Sequence, residues 1–329
     1  MLTVRRILVA IKDPRSRSLP AVAKAAQLAR AYAADLELFH AIADPIATDP
    51  YQFLNHDRFT QQRAIRIQYL DTLAIVAGPL RRSGLTVNVS AEWDFPVYES
   101  IVRRAQQVKA DLIVAECHSG KRLAPWLLHV TDWELLRTSP LPVLLIKSPR
   151  AWRRPVVLAA LDPSHKYAKP AKLDARIIDA ANSVTQVLRG SMHAMYAYMP
   201  VPMNAVTWGT TSAQVMKQIV AGSETNARDL FEKALQASKL PRKRRHLAQG
   251  IPTAAIPRTV RKIGSDIVVM GAISRSGLRR ALIGNTAESV LTELACDVLV
   301  VKPAGFETRV PRDSRGAHYI NLPRTPIPY

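Results

Sequence analysis

Short, unbroken apolar runs alternate along this chain with longer stretches whose apolar residues recur at helical spacing. The first run, 7–11 (ILVAI), passes straight into Lys12, Asp13 and Pro14. A strand with no polar alternation is one buried on both faces, which requires a parallel sheet covered by helices. An alanine-rich helical stretch follows at 21–33, then a strand at 36–42, a long helix between about 57 and 80, and a strand at 86–92. A helix at 97–108 leads to a fourth strand, 111–115. After a loop and a helical stretch at 132–137, the run 143–146 makes a fifth. Strands alternating with helices of about 10–25 residues predict βαβ units and a doubly wound α/β sheet.

The pattern then begins again. The run 156–161 (VVLAAL) enters Asp162-Pro163 as the first strand enters Asp13-Pro14, an offset of 149. Further on the offset settles at 155. Residues 111–114 (DLIV) lie over 266–269 (DIVV), and 142–147 (PVLLIK) lie over 297–302 (DVLVVK). The chain is an internal duplication of two five-stranded copies. The expected organisation is a first domain at 1–149, a second at 150–303, and an extended tail at 304–329 carrying Pro311, Pro323, Pro326 and Pro328.

Composition changes the picture in one respect. At 329 residues, 48% hydrophobic and 22% charged, the chain has ordinary globular material for two cores. Two cysteines exclude a disulfide scaffold and suit a reducing compartment. No apolar run reaches the roughly 18 residues of a membrane span, and the 7–11 run is too short for a signal peptide, so a soluble, cytoplasmic protein is expected. The net charge of +20 is the unusual quantity. It is unevenly shared: residues 1–149 hold 19 basic and 14 acidic residues (+5), and residues 150–329 hold 27 and 12 (+15). Such an excess attracts polyanions in general. An aromatic content of 6%, and the lack of any zinc-finger, helix-turn-helix or RNA-binding motif, argue against a dedicated nucleic-acid binder.

Ligands of doubly wound sheets sit beyond the carboxyl ends of the strands. The loop after the fourth strand of the second copy, 271–288, reads GAISRSGLRRALIGNTAE. Gly271 lets backbone approach a ligand, Gly284 precedes Asn285 and Thr286 at a helix start, and Arg275 adds positive charge. Free amides at a helix N-terminus form an anion site. The competing reading is a loop that needs glycine only to turn. At the 155 offset the first copy has Glu116 for Gly271, His129 for Gly284, Ser119 for Ser274 and Val130 for Asn285, so it lacks both glycines and puts a carboxylate where phosphates would lie. Its loop is bulky instead, with Leu123, Pro125, Trp126, Leu127 and Leu128, fit to plug the cleft or line an apolar pocket.

Other clusters carry weaker chemistry. Glu116, Cys117, His118 and His129 are spaced irregularly and match no zinc ribbon or finger, so no metal site is expected. Cys117 beside His118 is a candidate reactive thiol, and Cys296, ahead of a core strand, reads as buried and inert. The basic run 239–246 (KLPRKRRH) reads as a solvated loop or a phosphate contact. No Ser/His/Asp set, Walker loop or paired carboxylates emerge, so no enzyme is indicated.

The 271–286 loop resembles the signature of the universal stress protein family, G-x-x-G followed by nine residues and G-[S/T]. The strand ending at Asp162, the βα order and the closing stretch 295–301 (ACDVLVV) are similar too, as are 131–137 (TDWELLR) with 140–143 and 284–288 (GNTAE), which resemble its tandem-domain branch. The resemblance covers nearly the whole chain to about residue 303, twice over. It implies two tandem Rossmann-like domains, each a five-stranded parallel sheet flanked by helices. It also implies ATP as cofactor in the second domain only, with Asp162 near the adenosine and Gly271, Ser274, Arg275, Gly284, Asn285 and Thr286 around the phosphates. Ser274 stands where the motif has its second glycine, and Asn285 where it has Ser or Thr. If that glycine must take φ > 0, a serine costs on the order of 1–2 kcal/mol. The resemblance further implies a non-enzymatic stress-response protein that resists stresses including DNA-damaging agents, with its halves packed as a pseudo-dimer or the chain as a homodimer. A weak ATPase, and a carrier of another small ligand or an interaction scaffold built on the loop around Trp126, are the alternatives.

Overall fold

The computed structural model describes residues 3–42, 57–116, 125–164, 173–200, 213–271 and 285–314. They form two compact units. One contains residues 3–151 together with 307–314, and the other contains residues 152–306.

In the first unit, β1 (Arg6–Ala10), α1 (Pro20–Tyr32), β2 (Asp35–Ile42), α2 (Asp57–Arg82), β3 (Val87–Trp93), α3 (Val97–Gln107), β4 (Leu112–Glu116), α4 (Pro125–Thr138) and β5 (Val143–Ile146) follow one another. All neighbouring strands are parallel, in the order β3-β2-β1-β4-β5. The second unit repeats this with β6 (Val156–Leu161), α5 (Leu173–Val187), β7 (Ser191–Tyr198), α6 (Ala213–Leu235), β8 (Arg245–Gln249), α7 (Pro252–Ile263), β9 (Ile267–Gly271), α8 (Asn285–Glu293) and β10 (Asp297–Val301), in the order β8-β7-β6-β9-β10. The central strands are buried throughout, as continuous apolar runs require: Ile7, Leu8, Val9, Val157, Leu158 and Ala159 have no exposed surface.

The repeated aspartates of the 155 offset have a mechanical role. Asp111 accepts hydrogen bonds from the backbone N–H groups of Arg5 (2.7 Å) and Arg6 (3.0 Å), and Asp266 accepts one from Val156 (2.8 Å). Each carboxylate therefore ties the loop before the fourth strand to the start of the first. Helix α1 ends on Ala33 in the left-handed region (φ 53°), and Ala34 N–H returns to Ala29 O. In the second copy Arg189 takes that conformation (φ 53°), and Gly190 N–H returns to Thr185 O. Both are helix ends that satisfy their last carbonyls by a left-handed residue, here without the usual glycine.

One feature departs from the sequence reading. Helix α4 begins at Pro125, so Pro125, Trp126, Leu127 and Leu128, expected in a loop, form its first turn. Proline's fixed φ and missing N–H suit that position. The stretch after residue 306 reads from the sequence as a tail either mobile or laid over the surface. Residues 307–314 pack within the first unit, with Val310 buried. They close over an ion cluster in which Arg103, 4% exposed, donates to both carboxylate oxygens of Asp94 (2.9 and 2.8 Å), to Glu99 (3.1 Å) and to Pro311 O (3.2 Å). Ser314 Oγ donates to Asp94 at 2.7 Å.

Candidate functional site

The parallel register brings the carboxyl ends of β6, β9 and β10 to one edge of the second unit, with Leu161 opposite Tyr196 of β7, and Gly271 opposite Val301. Asp162 leaves this edge directly after β6. Its Oδ1 accepts a hydrogen bond from Ser164 Oγ at 2.7 Å, and its backbone N–H donates to Asp174 Oδ1 at 3.2 Å. Asp174 lies in the first turn of α5 and is buried, where a carboxylate is stabilised by the positive end of the helix. The Tyr196 phenol is held above its ordinary range by burial, with the Asp162 and Asp174 carboxylates adding to the rise and a hydrogen bond with Ser164 opposing it. Two carboxylates, a serine and a phenol thus share this edge, a set that suits a hydroxyl-bearing ligand.

Gly271 ends β9 beside α5. A Cβ there would lie 2.6 Å from Leu173 Cδ2 and 3.1 Å from its Cγ. Leu173 is buried against it, so the missing side chain is explained by close packing of helix on strand as well as by any approach of backbone to a ligand. Helix α8 opens at Asn285, with Thr286 in its first turn. Ser274, Arg275 and Gly284 lie outside the described residues, as do Cys117, His118 and Ser119. Cys296 is buried, as its place ahead of β10 implied. Lys302 follows β10 at the same edge. It is 4% exposed, its ammonium lies 4.5 Å from the centre of the Phe306 ring, and burial lowers its pKa to about 8. Among the described residues no three His, Cys, Asp or Glu side chains gather as metal ligands, and no helix is long and apolar enough to cross a membrane.

The first unit builds its matching edge differently. Asp13 Oδ1 accepts from the backbone N–H of Arg15 (3.0 Å). His40, at the register position of Tyr196, has Nδ1 2.9 Å from Ile11 O and stacks at a tilt on Tyr69, 4.4 Å between ring centres. Burial lowers its pKa, partly countered by Ile11 O and Asp13, with Arg15 adding to the lowering. Glu116 stands at the position of Gly271. Its carboxylate accepts the backbone N–H of Ala21 in the first turn of α1 at 3.3 Å, where Leu19 offers no side-chain cap. A place that favours an anion is therefore held by the unit's own carboxylate. Replacing Glu116 by Gln is expected to lower the stability of this unit by about 1 kcal/mol, read by chemical denaturation of the full chain, because the amide keeps an acceptor but loses the charge on the helix terminus. An unchanged midpoint would show that the carboxylate does not serve α1.

Sequence reasoning named Asp162 and Gly271, which follow β6 and end β9. It missed Ser164, Asp174 and Tyr196, which carry most of the polar chemistry there. The only available signal was an acidic residue opening an apolar helical stretch after a strand that ends in Asp-Pro.

A family model described as the Universal stress protein family matches residues 3–147 and 173–302. Universal stress protein E of Photorhabdus laumondii is 25% identical over 310 residues, covering 93% of this chain and 98% of its own. Universal stress protein E of Salmonella typhi is 29% identical over 322 residues, covering 95% and 99%. The crystal structure of a functionally unknown protein from Pseudomonas aeruginosa PAO1 has a TM-score of 0.71 at 25% identity, covering 97% of both chains.

Proposed function

The chain belongs to the universal stress protein family, and from that premise we propose that its second unit binds ATP at the carboxyl edge of β6 and β9 while its first unit does not. The observation that carries this reading is the contrast at one repeat position. The second unit has an uncharged Gly271 there, and the first has Glu116 hydrogen-bonded to the start of α1. A triphosphate brought to the first unit would meet a fixed carboxylate and would have to displace it from a helix terminus that already stabilises it. In the second unit Asp162, with Ser164 and Tyr196 beside it, meets the ribose hydroxyls. The backbone amides at the start of α8, with Gly284, Asn285 and Thr286, receive the phosphates, and Arg275 supplies charge.

Binding, rather than turnover, is the activity in this reading. The Asp162 carboxylate is engaged within its own loop, accepting from Ser164 Oγ. The protein then acts in the cytoplasm in survival of stress, DNA-damaging stress included, through a ligand-linked state that partners read. Isothermal titration of ATP into the full chain tests this. Asp162→Ala is expected to weaken binding at least about tenfold, and Gly284→Trp to abolish it, with no steady release of phosphate in any form. ATP affinity indifferent to both substitutions would overturn the assignment of this edge.

A further inference from the structure

The two units differ sharply on the opposite half of the sheet, where the second and third strands of each copy face the helix that follows them. In the first unit Glu37 of β2 and Ser90 of β3 meet beneath α3, Ser90 Oγ donating to Glu37 at 2.6 Å. Arg104 of α3 then pairs with Glu37 (2.6 Å) and Glu92 (3.0 Å). This polar cluster closes on itself, with cation and carboxylates supplied from inside the unit.

The registers place His193 and His246 at the same two positions of the second unit. Leu8 is opposite Glu37 as Leu158 is opposite His193, and Phe39 is opposite Ser90 as Met195 is opposite His246. Nδ1 of His193 lies 2.9 Å from Nε2 of His246, and the rings are nearly parallel, 5.2 Å apart. The charge on the elements around the pair is of one sign. The turn 242–244 (RKR), β7, β8 and α7 contain Arg242, Lys243, Arg244, Arg245, Arg258, Arg261 and Lys262, and not one Asp or Glu. The corresponding β2, β3 and α3 contain Asp35, Glu37, Glu92 and Glu99 against two arginines. Two of the second unit's cations are answered from neighbouring helices, Arg245 by Glu232 of α6 and Arg261 by Glu293 of α8 at 3.5 Å. Arg258 turns to Gln249 O. The Arg244 charge acts on His193 and the Lys262 charge on His246, and Arg242, Lys243 and Lys262 are exposed.

We propose that this face of β7 and β8 is a binding site for linked phosphates, held by Arg244 and Lys262 together with the His193–His246 pair. A phosphate group presents tetrahedrally arranged acceptor oxygens, so one group accepts from an imidazole N–H, a guanidinium and an ammonium together. A carboxylate offers two oxygens in one plane. Arg242 and Lys243 extend the charge along the same turn for the next phosphate of a chain, whether that chain is a free oligophosphate or a nucleic-acid backbone. The site lies away from the carboxyl edge assigned to ATP and stands independently of that reading.

Binding here depends on pH with a definite sign. Burial lowers the pKa of both imidazoles, aided at His193 by His246 and Arg244 and at His246 by Lys262, so the pair is neutral at pH 7 in the free protein. An arriving anion favours the protonated form. Binding therefore takes up a proton and strengthens as pH falls.

The test uses the full chain with tripolyphosphate and, separately, a mixed-sequence DNA duplex, whose phosphodiesters do not titrate in this range. Duplex affinity is expected to be about tenfold higher at pH 6 than at pH 8. Lys262→Glu, at an exposed position that leaves the fold intact, is expected to cost at least about tenfold with either probe. His193→Glu, which installs the carboxylate of the first unit, is expected to abolish binding and its pH dependence. A preference for tripolyphosphate or for duplex identifies the source, and either supports the site. Binding unaffected by both substitutions, or equal binding of poly-glutamate, overturns the proposal. Gly284→Trp is expected to leave duplex binding unchanged, which separates failure here from failure at the ATP edge.

Discussion

Replacement of Arg103 by alanine is expected to destabilise the first unit by about 3–5 kcal/mol, the cost of removing one partner from a buried ion cluster. Arg103 serves four acceptors: both oxygens of Asp94, Glu99 and Pro311 O. Asp94 and Glu99 are each about 5% exposed on their side chains. Without the guanidinium, two buried carboxylates lose the cation that both accept from. Lysine is a poor substitute, since one ammonium cannot reproduce the planar fork that grips Asp94 with two parallel bonds. Urea denaturation of the full chain reads the loss. Limited proteolysis gives a second readout, because residues 307–314 lose their bond at Pro311 and should be cut sooner. A change under about 1 kcal/mol, with the proteolytic pattern unaltered, would remove the cluster from its place in holding the unit together.

Gly190→Ala is the other large effect. The residue sits where α5 has ended and β7 begins, and its backbone passes so close to Pro155 that a Cβ would lie 2.1 Å from the Pro155 carbonyl oxygen and 3.2 Å from its ring Cδ. Neither atom belongs to a flexible side chain. The carbonyl also accepts Ser191 N–H at 2.9 Å, the bond that admits β7 to the sheet. Relief must come from separating β6 and β7 at that end. About 3 kcal/mol is expected, or about 6–12 °C in the melting temperature of a unit of this size. The first copy already carries alanine at the matching place, Ala34, with Arg5 in place of Pro155 and the corresponding bond from Asp35 N–H to Arg5 O at 2.9 Å. Ala34→Gly is therefore the control, with a small effect. A Gly190→Ala protein that melts like its parent would show that the strand entry tolerates a side chain in both copies.

The duplication was legible because it rests on local signals. Continuous apolar strands mark the centre of each sheet, and Asp111 and Asp266 recur at a fixed spacing because each must clamp the start of a central strand. Edge strands gave far less. The RHLAQ segment of β8 holds two apolar residues and is half-buried along most of its length, so neither a continuous nor an alternating pattern marks it. The start of α4 was missed for the opposite reason, since Trp126, Leu127 and Leu128 look like a bulky loop until Pro125 is read as a first helical residue. Of the candidate site, the strand-end positions could be read from the repeat. The groups that converge there from other elements, Asp174 and Tyr196, could not. Nor could Arg103 meeting Pro311 and Asp94 meeting Ser314, because nothing local in a sequence signals a contact over two hundred residues away.

The segment 307–314 has a consequence for how the molecule is made. A unit that begins at residue 3 receives its last piece only after more than 150 further residues have been translated. At roughly 5–20 residues per second that interval is about 10–30 s. Throughout it the nascent first unit has Arg103 without Pro311 and Asp94 without Ser314, on a ribosome still building the second copy. An order of synthesis that puts the clasp last leaves the first-made unit unlatched while the second is being made.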